Sequence, residues 1–185
     1  MKGIYLGAYT AYHPNHDIIY QDINGLRDLP GDMIFVDLSP YDYVIATPPC
    51  NYWSRANYRR ETSEYSQKTK HLLPGILQKL VASGKPFIVE NVRNDKMFNR
   101  YGLFNYLSVN VYRVGRHTYW TNIQLDVTGI IQKPKSDYKN GKKRWLSSQN
   151  LPRGKRQGGK EVYEIIELFI NTIERRNKTW PKNSH

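Results

Sequence analysis

At 185 residues, with 28 Lys and Arg against 16 Asp and Glu, the chain carries a formal net charge of +12 and contains a single cysteine. This length fits one domain with a real core, and one cysteine excludes an internal disulfide and a cysteine-rich zinc site. No stretch approaches the roughly 18 apolar residues of a membrane span, and no basic segment leads into an apolar one at the amino terminus, so a soluble, cytoplasmic protein without membrane contact is expected.

Gly3 to Tyr9 reads as a first strand, followed by a loop through His13, Pro14 and Asn15. Asp17 to Tyr20 reads as a second, ending at Gln21 and Asp22, Asp32 to Asp37 as a third, and Tyr43 to Ala46 as a fourth. These runs are short and continuously apolar, as strands covered on both faces should be. Leu72, Leu73, Ile76, Leu77, Leu80 and Val81 then recur at helical spacing. The spacing predicts a helix over 73–82, with Pro74 in its first turn and Gly84 as its stop. Phe87 to Val89 completes a strand–helix–strand unit. Leu107 to Arg113 and His117 to Leu125 suggest antiparallel strands joined near Gly115. Residues 132–160 are basic and rich in Pro, Gly, Ser and Asn, as a loop ordered on binding would be. Glu161 to Arg175 is a final amphipathic helix. The expected organisation is an α/β core over 1–130, a basic segment over 131–160, and a helix within 161–185 that packs back on the core.

The chemistry-bearing residues stand where apolar runs meet their loops. Thr47-Pro48-Pro49-Cys50 follows the fourth strand, and Glu90-Asn91-Val92 follows the strand after it. Adjacent parallel strands would put Cys50 and Glu90 on one edge, the carboxyl edge where open α/β sheets bind ligands. Cys50 read alone is a small buried hydrophobe, and Glu90 read alone caps a backbone or pairs with Arg93. Together they match a nucleophile and an acid.

The pair resembles the DNA cytosine methyltransferases that act at carbon 5, which carry a Pro-Cys nucleophile loop and a Glu-Asn-Val loop in this order on a Rossmann-like class I methyltransferase sheet. The resemblance covers about residues 42–125. It implies that Cys50 adds to carbon 6 of cytosine, that Glu90 binds and protonates N3, and that S-adenosylmethionine supplies the methyl group. Thiolates are the natural attacking groups for such an addition, and a Glu that donates a proton needs a raised pKa. It also implies an arginine near the base: Arg116 is preferred over Arg113, although the Gln-x-Arg-x-Arg pattern is replaced here by Arg113-Val-Gly-Arg116. No metal is implied.

For the cofactor, the resemblance points to Gly7 after the first strand, Pro48, and Gly159 in a turn before the last helix, with Asp22 or Asp37 on the ribose. The relatives' Phe-x-Gly-x-Gly loop is replaced by Leu6-Gly7-Ala8-Tyr9. The spacing from Gly7 to Tyr20 leaves room only for a very short helix or none, so the cofactor half is reduced. DNA is the expected partner, because basic surface with interleaved aromatics attracts phosphate backbones. Asn51, Trp53, Ser54 and Arg55 follow Cys50 on the face where a flipped base would lie; the aromatics there equally suit covering the sheet edge. Arg113 would bind phosphate, and Lys142, Lys143, Arg144, Arg153, Lys155 and Arg156 form the recognition segment. So compact a reader suits a phage or mobile element in a bacterial host. Two other classes share these features: a degenerate methyltransferase fold that only binds DNA, and a pyrimidine carbon-5 enzyme with another one-carbon donor. Oligomeric state has no signature in the sequence.

Overall fold

Alternation between two apolar layers organises the computed structural model, which describes residues 1–8, 11–130, 137–139, 142–144 and 157–179. Strands β1 (Lys2–Leu6), β2 (Asp17–Asp22), β3 (Leu29–Pro30) and β4 (Tyr43–Ala46) come first. Helices α1 (Glu64–Thr69) and α2 (Leu72–Ser83) lead to β5 (Phe87–Val92), then to α3 (Asp95–Arg100) and a hairpin of β6 (Asn110–Val114) and β7 (His117–Thr121). A 3-10 turn over Thr128–Ile130, a two-stranded ribbon of β8 (Asp137–Lys139) and β9 (Lys142–Arg144), and α4 (Gln157–Thr179) complete the described chain.

The first seven strands form one sheet in the order β3-β2-β1-β4-β5-β7-β6. Strand β7 is antiparallel to both neighbours, and the pairs from β3 to β5 are parallel. The fold is α/β, with a mixed, mostly parallel and broadly Rossmann-like sheet. Successive residues of a strand face opposite ways. Ile4, Leu6, Val44, Ala46, Phe87 and Val89 therefore pack with Leu73, Ile76, Leu77 and Leu80 of α2 on one face. Tyr5, Tyr43, Ile45, Ile88 and Tyr119 pack with Ile165, Ile166, Phe169, Ile170 and Ile173 of α4 on the other.

Helix α2 extends the expected 73–82 by a residue at each end and stops at Gly84, whose φ of 65° is the left-handed conformation that glycine adopts freely. Pro74 sits in its first turn, where a missing N–H costs nothing. The β6–β7 hairpin turns at Gly115, as anticipated.

Three expectations are corrected. Asp32 to Asp37 is not a strand: Asp32 Oδ1 accepts from Ile34 N, and its carbonyl accepts from Phe35 N, closing turns that leave Phe35 85% exposed. The third strand is the shorter Leu29–Pro30. Gly158 and Gly159 lie inside the first turn of α4, not in a turn before it. The basic segment holds the β8–β9 ribbon instead of loop alone. Lys142, Lys143 and Arg144 form β9, while Arg153, Lys155 and Arg156 lie outside the described residues. Among the described residues no helix separates β1 from β2; the connection is tied to α4, with His13 Nδ1 2.5 Å and His16 Nε2 3.1 Å from the Glu167 carboxylate. Nor is any described helix long and apolar enough to cross a membrane.

Candidate active site

Register fixes the floor of the site. Gln21, Leu6, Ala46 and Val89 form one row across β2, β1, β4 and β5. The residues that follow are Asp22, Gly7, Thr47 and Glu90: Asp22 ends β2, Gly7 and Thr47 stand just past β1 and β4, and Glu90 lies within β5, all toward the carboxyl side of adjacent parallel strands. Pro48, Pro49 and Cys50 rise from Thr47. Thr47 Oγ1 donates to the Gly7 carbonyl at 3.1 Å, closing the gap between β1 and β4.

The loop after β4 is braced from β5. The buried Asn91 amide donates to the Pro48 carbonyl at 2.9 Å, and Asn94 donates to the Trp53 carbonyl at 2.7 Å. The Cys50 carbonyl accepts from Trp53 N and Ser54 N, which folds the chain back and leaves the Cys50 side chain exposed. Asn57 donates to the Asn51 carbonyl and to Ser66 Oγ, and Arg60 donates to the Ser54 and Asn57 carbonyls. The segment after Cys50 is thus a stitched platform.

The electrostatics of Cys50 and Glu90 are linked. Burial raises the Glu90 pKa, the Glu161 charge adds to the rise, and His117 opposes it. Although Cys50 opens to solvent, partial desolvation by the walls around it raises its thiol pKa, and the Glu90 charge raises it further. When Glu90 holds a proton, that second contribution disappears and thiolate forms more readily.

Several predicted residues fall elsewhere. Trp53 is fully buried against Tyr52, Phe98 and Tyr101, with ring centroids 5.1, 5.8 and 5.2 Å away. Its ring covers the sheet edge and has no face for a base; the turn at Cys50 directs it inward. It also lines a cavity of about 300 Å³ with Gln67, Lys70, His71, Pro74 and Tyr101, on the helical side of the loop. Asp37 is exposed and bonds Ser39, whose carbonyl accepts from Lys85 just before β5. That is the amino edge of the sheet, opposite Cys50, because the chain after β3 has run back to begin β4. Asp22 is buried at the end of β2 and accepts from Asn24 N at 3.1 Å. Arg113 is held by Asp95 at 3.3 Å and stacks on Phe104. Arg116 is exposed on the hairpin turn, and its charge reaches His117. Asn51 and Arg55 are exposed beside Cys50, with Ser54 half-buried.

Sequence reading missed two groups. Tyr58 is 85% exposed on the stitched platform, with the Arg59 guanidinium 5.5 Å from its ring; an aromatic beside Arg59-Arg60 was the available signal. His117 and Glu161 stand behind Glu90, and pairing of β7 with β5 was needed to bring them there. No protein-family model matches the chain, and no curated protein matches its sequence.

Proposed function

We propose that the protein is a DNA (cytosine-5)-methyltransferase of reduced size, its sheet a class I methyltransferase sheet shortened in the cofactor half. One observation carries this reading: Cys50, on the loop after β4, and Glu90, still within the neighbouring parallel strand β5, share the carboxyl side of the sheet, and Asn91 of β5 fastens that loop to the strand. Cys50, exposed to solvent, gives its proton to water; the Sγ thiolate bonds carbon 6 of the pyrimidine, the displaced electron pair moves toward N3, and N3 takes the proton of Glu90. Carbon 5 is thereby made nucleophilic. Water takes the carbon-5 proton, the carbon 5–carbon 6 double bond re-forms and expels the Cys50 thiolate, and the N3 proton returns to Glu90. The raised Glu90 pKa suits a group that must begin protonated near neutral pH.

The residues at the ends of β1 and β2 fit S-adenosylmethionine. At Gly7 a Cβ would meet the Thr47 carbonyl oxygen at 2.7 Å and the Met33 methyl at 3.0 Å, and φ is 74°. Only glycine fits this turn, and its bare Cα lets the Thr47 loop lie close against the end of β1. Asp22 would take ribose hydroxyls from the end of β2. When bound, the cofactor supplies an electrophilic methyl group for carbon 5. Asp37, at the opposite edge, is not part of this site.

DNA is the proposed partner. A base inside a duplex hides carbon 6 and must be extruded. Arg55, Tyr58 and Arg59 form the exposed rim next to Cys50 that would meet phosphate and bases. The test is tritium release from DNA labelled at cytosine carbon 5, with and without S-adenosylmethionine. Release that vanishes in Cys50→Ala is expected. Release that persists in that variant would remove the nucleophile, and absence of release on duplex and single-stranded DNA would favour a protein that only binds DNA.

A further inference from the structure

A second ionisable chain lies behind Glu90. In the antiparallel register Glu90 pairs with Tyr119, so His117, two residues along the same face of β7, is its diagonal neighbour. Glu90 Oε1 is 3.8 Å from His117 Nε2, and His117 Nδ1 is 3.1 Å from Oε1 of Glu161 on α4. Their side chains are only 15%, 16% and 9% exposed for Glu90, His117 and Glu161. Gly115, at φ 52°, lies directly against the Glu161 carboxylate, where any Cβ would overlap it. The bare hairpin turn thus admits the carboxylate that anchors the imidazole.

The groups facing His117 are Glu90 from β5, Glu161 from α4 and Arg116 from the turn. Tyr119 on β7 feels both carboxylates, while Tyr5 on β1 and Cys50 after β4 feel Glu90.

We infer that His117, anchored by Glu161, is a positioning residue that sets the orientation and charge of Glu90; this rests on the reading of Glu90 as the N3 donor. Buried clusters avoid net charge. An imidazolium neutralised by Glu161 leaves Glu90 to hold its own proton, and the three groups then sum to zero. Once that proton moves to N3, the new Glu90 carboxylate lies next to the His117 cation, which steadies it until the proton returns. Burial by itself would lower the His117 pKa; the Glu161 hydrogen bond and the charges of both carboxylates more than reverse this and raise it.

The inference is tested first without activity, by following the His117 Cε1–H resonance through a pH titration of the intact protein. Its midpoint should lie above 6.5 in the wild type and move down in both Glu161→Gln and Glu90→Gln. A midpoint indifferent to both variants overturns the chain. The second readout is the pH profile of carbon-5 tritium release in His117→Gln. The rate should fall about a hundredfold, as when a reacting group is misplaced. Its alkaline limb should move to higher pH, because the cation that lowers the Glu90 pKa is gone. A uniform loss with the limb in place would mean a merely structural histidine. If wild-type protein releases no tritium, the donor reading fails, and the His117 titration still decides whether the three groups are coupled.

Discussion

Asn91 Nδ2 donates to the Pro48 carbonyl across 2.9 Å, from the residue after Glu90 to a residue two before Cys50. One amide therefore ties the acid's strand to the nucleophile's loop. Asn91→Ala leaves a buried carbonyl without its donor, which costs about 1–3 kcal/mol. Chemical denaturation should show that loss. Alkylation of Cys50 should become faster as the loop loosens; unchanged alkylation would mean that Asn94 and the Thr47 contacts hold the loop alone.

Cys50 and Glu90 should titrate as a pair. Alkylation of the only cysteine, followed against pH, should give a midpoint above the ordinary thiol value of 9.0. Glu90→Gln removes the opposing charge, so the midpoint should fall. A midpoint that stays in place would separate the two groups.

Gly115→Ala tests the approach of Glu161. A left-handed conformation costs an alanine about 1–2 kcal/mol, and the added methyl group displaces the carboxylate. Stability should drop by about that amount, and the His117 midpoint should fall with the loss of its anchor. NMR titration and thermal melting together check both effects.

The two histidines His13 and His117, which meet Glu167 and Glu161 of α4, should move in opposite directions. Burial lowers the His13 pKa despite its contact with Glu167, whereas His117 is raised. His13 therefore costs stability as pH falls through its unfolded value near 6.5. The contribution of His117 is complete below that value and is lost as pH rises through its higher folded midpoint. Replacing His13 with Gln should flatten the acid side of a stability–pH curve, and replacing His117 the alkaline side.

Trp53 and Tyr58 separate core from rim. Trp53→Ala should destabilise by about 3–5 kcal/mol through the cavity it leaves. Tyr58→Ala should change stability by no more than about 0.5 kcal/mol and weaken DNA binding in a filter or anisotropy assay. Equal DNA affinity in Tyr58→Ala would move the interface off this platform.

Much of the sheet was legible because its strands are continuously apolar and its main helix has a clear 3.6-residue stripe. The pairing of β4 with β5 followed from the helical connection between them. Asp32 to Asp37 misled for a local reason. Its apolar residues look like a strand, but Asp32 closes two turns and directs Phe35 to solvent. Trp53 misled because the turn that exposes Cys50 also buries the ring three residues on. His117 and Glu161 are 44 residues apart in sequence, and no local pattern announces a contact made by one antiparallel pairing and one late helix.

The late position of α4 also bears on synthesis. Tyr5, Tyr20, Tyr43 and Ile45 are made early, yet the helix that covers them from Ile165 to Ile173 is the last described element. On the ribosome, one apolar face of the nascent sheet must wait uncovered until α4 itself has been translated. Such long-range closure slows folding and exposes sticky surface meanwhile. Ribosome-stalled chains lacking α4 should therefore hold chaperones that the finished protein releases.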